Sequence, residues 1–138
     1  MRSALLTVAA VALLFSAAAE ARFPSKTYIK DYNRDKQSAL AGAEYSPAGI
    51  KPTQMAMRGI AHQQRLNMLV TYSLRSDLDS TAVANAVTEI SASHQATACE
   101  FLAVMNKRYN DVKEVGYKIT LSQEGGAVVY DENRACKK

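Results

Sequence analysis

The chain has 138 residues, 48% of them hydrophobic and 22% charged, with a formal net charge of +4 at neutral pH. That length supports a single domain. The basic residues are too dispersed, and too little interleaved with aromatics, to make a nucleic-acid surface, so nucleic acid is excluded as a partner.

The first segment reads as an address. Met1-Arg2-Ser3 is a short positive start, Ala4 to Phe15 is apolar except for Thr7, and Ala17-Ala18-Ala19 and Ala19-Glu20-Ala21 each present a small-x-small cleavage pattern. An apolar run this short, followed by a cleavage pattern instead of anchoring charges, is a secretory signal peptide and not a membrane span. Residues 1–21 are expected to be cut off after Ala19 or Ala21. The mature chain is expected to be periplasmic or secreted, with no stable membrane insertion. No cysteine lies near the cleavage site to carry a lipid anchor.

Residues 22–51 differ in charge balance from residues 52–138. They carry six basic and three acidic residues, against ten and nine in the longer segment. Tyr28, Tyr32 and Tyr45 are their main apolar mass, and they read as a basic, tyrosine-containing arm. Tyr28, Tyr32 and Leu40 share a helical face, so a short helix running to Gly42 is one expectation; an extended arm is the other. Lys26, Lys30 and Arg34 would line another face of that helix. Ser46-Pro47-Ala48-Gly49 is a turn signal.

A compact domain is expected over residues 52–138. Thr53 to Gln64 reads as a modest helix, capped by Thr53, with Ala56, Met57, Ile60 and Ala61 on one side and Gly59 weakening it. Leu66, Met68, Val70, Tyr72 and Leu74 alternate with Asn67, Leu69, Thr71 and Ser73, three of these four polar, the period of a half-buried strand. Asp79 is a capping residue for a helix over Ser80–Tyr109, which contains no glycine or proline. Val83, Val87, Ile90, His94, Ala98, Phe101 and Met105 form its apolar stripe. Lys107 and Arg108 suit its carboxyl end, with Asn110 as its stop. About 30 residues at 1.5 Å each give roughly 45 Å, long for this domain, so a bend near Ser91-Ala92-Ser93 is anticipated. Tyr117, Ile119 and Leu121, then Gly125-Gly126, then Ala127 to Tyr130, read as a β-hairpin whose two turn glycines adopt positive φ.

The order strand, long helix, hairpin predicts an α+β fold: one long helix packed on a small antiparallel or mixed β-sheet, preceded by a short helix and the arm. Cys99 and Cys136, the only cysteines, are expected to form a disulfide in an oxidising compartment. Cys99 falls on the flank of the helix, so the tail from Asp131 to Cys136 would fold around that flank to reach it.

Catalytic and metal-binding patterns are missing, and no cofactor is expected. His62 and His94 are far apart in the sequence, and the positions three and four residues from His94 hold no usual ligand. There is no Gly-x-Ser-x-Gly elbow and no Cys-x-x-Cys pair. Glu89 and Glu100 would lie roughly 16 Å apart along the helix, too far for a glycosidase pair. The nearest thing to a recognition surface is Lys26, Tyr28, Lys30, Tyr32 and Arg34, because tyrosine and arginine are favoured at interfaces. The simpler account is that these rings cover the domain's own core. These features favour a small exported non-enzymatic protein that binds another protein, as an accessory subunit of an envelope assembly, an inhibitor or an immunity protein. A hydrolase using His62 or His94 and a carrier of a small apolar ligand walled by methionines are the alternatives.

Overall fold

The computed structural model describes residues 22–138; the expected signal peptide, residues 1–21, lies outside the described residues. The fold is α+β. Four strands, β1 (Ile50–Ile60), β2 (Arg65–Leu74), β3 (Glu114–Gln123) and β4 (Val128–Lys137), form one sheet in that spatial order. β1 and β2 are antiparallel, β2 and β3 parallel, β3 and β4 antiparallel. The parallel pair needs a long crossover. With α1 (Lys26–Leu40) packed against β1, helices α2 (Ser80–Ser93) and α3 (Thr97–Arg108) supply that crossover.

Residues 22–51 thus run as a loop, α1, the turn at Ser46–Gly49 and the start of β1. Ser25 caps α1, its hydroxyl accepting from the Tyr28 N–H at 3.0 Å. Phe23, Tyr28, Ile29 and Tyr32 pack against the core without being fully buried. Asn33 fastens α1 to the margin of the sheet. Its Nδ2 donates to the Met57 carbonyl (3.0 Å), and its Oδ1 accepts from the Met57 N–H (2.6 Å). A side-chain amide here stands where a further strand would pair.

The helix expected over Thr53–Gln64 is a strand. Its local propensities are helical, but pairing with β2 from Ile50↔Leu74 to Ile60↔Arg65 overrides them. In that pairing Met55 and Met57 stand beside Val70 and Met68, under α1. The strand satisfies two apolar positions at period two, which a helical reading of Ala56, Met57, Ile60 and Ala61 misses. One 3-10 turn, Ala61–Gln63, then joins β1 to β2.

β2 follows the expected alternation. Leu66, Met68, Val70 and Leu74 are at most 1% exposed. Asp79 caps α2, accepting from the Ala82 N–H at 2.8 Å. The long helix is interrupted at His94-Gln95-Ala96, one step beyond the expected bend. There the Ser93 hydroxyl donates to the Ile90 carbonyl (2.8 Å), and the Thr97 hydroxyl to the Ser93 carbonyl (3.3 Å), competing with the helical ladder. The two segments bury Ala86, Ile90, His94, Ala98, Leu102 and Met105, while Val83, Val87 and Phe101 form the rim. The helix ends at Arg108, with Tyr109 as cap instead of Asn110.

The hairpin forms with Gly125 alone at positive φ (70°), not both glycines. β4 then runs on to Lys137, so the tail does not fold around the helix. It arrives beside α3 as the last strand of the sheet, with Cys136 paired to Val115, and the Cys99–Cys136 disulfide closes from the helix flank with Cα atoms 5.0 Å apart. Ladder pairing carries the tail there without a detour.

Candidate functional site

Among the described residues, helices cover one face of the sheet and leave the other bare. On β2 the even-numbered residues face the helices, and Arg65, Asn67, Leu69, Thr71 and Ser73 face away. Register carries that division across the sheet. One row of the bare face reads Arg58, Asn67, Gly116, Ala135, and the next Ala56, Leu69, Lys118, Asn133. Gly116, Ala56 and Ala135 are small, so these two rows form a hollow of about 500 Å³.

Arg58, Arg65 and Lys118 line this hollow, with Asn67 and Asn133 between them, and among the described residues no carboxylate lines it. Arg65 is preplaced. Its Nε donates to Asn67 Oδ1 at 2.5 Å, and its Nη1 lies 3.6 Å from Glu114 Oε1. The guanidinium lies over Gly116, where a Cβ would come within 2.5 Å of Nη2. Glycine is needed for that close approach. Arg58 and Lys118 are exposed and have no ion-pair partner among the described residues. A planar guanidinium seated over the sheet, with two exposed cations beside it, suits carboxylate oxygens.

A second polar cluster lies beneath the helix break. His94 Nε2 is 2.6 Å from the Tyr72 hydroxyl, and its Nδ1 is buried without a partner. Arg134 pairs with Glu132 and donates to the Ser91 hydroxyl (3.3 Å), and Tyr130 donates to Glu132 (2.8 Å). Burial holds the His94 imidazole below its ordinary range, with Glu132 opposing and Arg134 adding to the shift. Burial, with Tyr32 and Tyr72 adding to it, pushes Tyr117 up to about 12. The His94 ring and the Tyr117 phenol stay neutral at pH 7, and the cluster ties α2 and α3 to β2–β4.

His62 is exposed in the turn before β2, whereas His94 meets Tyr72 near that strand's far end. The seven intervening steps of strand, about 23 Å, keep them apart. Glu89 and Glu100 are exposed on different helices. The structure also divides the five residues singled out on α1. Tyr28 turns inward onto Tyr109 (ring centroids 5.5 Å), with Arg108 over its ring, and the Tyr32 hydroxyl contacts Met55 Sδ at 3.8 Å. Arg34 pairs with Asp31 and Asp35, at 3.2 and 3.4 Å. Lys26 and Lys30 border a shallow groove with Asn33 and Arg58. Rings and cations therefore do not form one patch.

Among the described residues no group of three or more His, Cys, Asp or Glu is placed to hold a metal, and no helix is long and apolar enough to cross a membrane. The chain matches no family model, no curated protein and no solved structure. Sequence reasoning passes over the bare-face site. Its signal is the polar half of the β2 alternation; reading β1 as a helix hides Arg58, which completes the row.

Proposed function

We propose that this chain is a small exported, non-enzymatic protein that binds another protein, using the bare face of its sheet to hold an acidic segment of the partner. The observation that carries this reading is the hollow over Gly116, lined by Arg58, Arg65 and Lys118 with no carboxylate among its lining residues. An antiparallel or mixed sheet commonly leaves one face to water, but such a face ordinarily mixes both signs of charge. Here Glu114 and Asp131 also stand on the bare face, but outside the hollow, so the cations predominate at the concave spot, where low-dielectric walls strengthen their field. The signal-peptide pattern and the disulfide support an oxidising compartment outside the cytoplasm.

The test is retention of partners on the immobilised disulfide-bonded protein, compared with Arg58→Glu/Lys118→Glu. Both sites are exposed, so the double variant is expected to fold normally while losing the retained partner, and added salt to weaken the wild-type interaction. Equal retention by both proteins overturns this reading.

A further inference from the structure

The two margins of the sheet are finished in opposite ways. β1 is guarded three times: Pro52 has no N–H to offer, the ladder is irregular between Pro52 and Gln54, and Asn33 of α1 occupies the outer pairing groups of Met57. β4 has one irregularity, at its start, where Val129 is skipped between Leu121↔Tyr130 and Ser122↔Val128; from Tyr130 to Lys137 its ladder is regular. It runs ten residues without proline, and among the described residues nothing but β3 pairs with it. Among the described residues, no other backbone hydrogen bond reaches Val128–Lys137. Two of the large exposed hydrophobics, Val128 (54%) and Val129 (41%), lie at its start. The Cys99–Cys136 disulfide pins the strand to α3, so this open edge is a fixed template.

Edge strands are usually protected by charge, and β4 carries four charged residues between Val129 and its end. Their order decides what they reject. Asp131 and Glu132 come first, Arg134 and Lys137 after. A parallel copy would set like charge beside like. An antiparallel copy centred on Asn133 sets Asp131 diagonal to Lys137 of the second chain, and sets Glu132 opposite its Arg134, which extends into one row the ion pair these two side chains already make within each chain, each twice by symmetry. It also keeps residues of the same face together, as a continuous sheet requires. A centre one residue earlier, at Glu132, would oppose two carboxylates.

We propose that β4 pairs antiparallel with β4 of a second copy of this chain, centred on Asn133, to form a symmetric dimer with one continuous eight-stranded sheet. The two bare faces then join, and their hollows lie side by side across the two-fold axis. The surface buried by one strand pair falls below the roughly 1,000 Å² of a stable interface, so association is concentration-dependent. The proposal is independent of the ligand of the bare face.

Sedimentation equilibrium of the disulfide-bonded protein tests it. The average mass is expected to rise from one chain to two with concentration. Asp131→Lys abolishes the rise, and adding Lys137→Asp to that variant restores it. Asn133→Cys places a thiol on the two-fold axis, where opposed Cα atoms about 4.5–5.5 Å apart suit a disulfide. It is expected to give a covalent dimer under mild oxidation. Ala135→Cys, displaced from its own copy by about 13 Å along the strands, is not. Far-ultraviolet circular dichroism identical to wild type excludes misfolding as the cause. A single-chain mass at every concentration, failure of the charge swap to restore association, or equal crosslinking at positions 133 and 135 overturns the proposal.

Discussion

Strand β2 belongs to two different surfaces. Toward the helices it presents Leu66, Met68, Val70 and Leu74, all but sealed from water; away from them it presents Arg65, Asn67, Leu69, Thr71 and Ser73, none of them buried. One backbone therefore carries the core and the candidate binding face, interleaved residue by residue. Stability and recognition can vary separately at neighbouring positions, because a strand sends successive side chains to opposite sides. The sharpest test uses the same change on both faces. Leu66→Ala empties a fully buried site and is expected to cost about 3–5 kcal/mol, whereas Leu69→Ala should cost less than about 1 kcal/mol. Urea unfolding of the two variants measures both; comparable losses would mean that the bare face is covered after all.

The next largest effect is expected from the link between the faces' common edge and the helix. Cys99 and Cys136 close a loop of sequence separation 37. In the chain-entropy account a loop of that size contributes roughly 4 kcal/mol, and measured native disulfides span about 2–5 kcal/mol. Cys99→Ser/Cys136→Ser should lower the urea midpoint accordingly. Because β4 also closes the bare face through Asn133 and Ala135, the loss should come with weaker partner retention. A variant with unchanged stability would show that ladder pairing alone holds β4 in place.

A smaller effect, confined to acid, comes from the covered side alone. His94 is buried against Tyr72, Tyr117, Glu132 and Arg134, and its folded-state pKa is lowered, chiefly by burial. Protonation therefore favours the unfolded chain. The stability that the neutral ring contributes is complete above the ordinary imidazole value of about 6.5 and is lost as pH falls from there through the lowered folded value. Thermal unfolding should show a decline beginning near pH 6.5 in wild type and a flatter profile in His94→Gln, which keeps a polar partner for Tyr72. Identical pH profiles would remove His94 from the account.

Much of this architecture is legible in local chemistry. The β2 alternation, the Asp79 cap, the glycine turn and the Cys99–Cys136 pair each rest on interactions that neighbouring residues or a single covalent rule specify. The features hidden from the sequence depend on partners distant along the chain. β1 carries two Met and one each of Ala, Gln and Arg, residues that favour helix, and it is a strand because β2 and α1 are there to receive it. The placement of the helix break after Ser93 depends on hydroxyls turning back to carbonyls and on His94 reaching Tyr72. The hollow over Gly116 needs four strands in register before Arg58, Arg65 and Lys118 converge.

Glycine supplies the finest comparison of the two faces. Gly59 lies on the covered side, where an added Cβ would meet Ile29 Cδ1 at 2.7 Å and the Phe23 ring at 3.0 Å. Gly116 lies on the bare side, where the same atom would meet Arg65 Nη2 at 2.5 Å and Asn67 Oδ1 at 3.1 Å. The shorter distance is the less costly one. Ile29 and Phe23 would both have to shift to admit the methyl, disturbing the packing of α1 on β1, so Gly59→Ala should lose about 1 kcal/mol by overpacking. The Arg65 guanidinium can swing into water, and alanine is a better strand residue than glycine, so Gly116→Ala should stay within about 0.5 kcal/mol of wild type. Binding should reverse the ranking. The methyl at 116 fills the floor of the hollow and unseats the one preplaced cation, whereas a methyl at 59 leaves all three cations where they are. Urea midpoints and partner retention for the pair measure both quantities, and a Gly116→Ala protein that binds as well as wild type would place recognition elsewhere than over this residue.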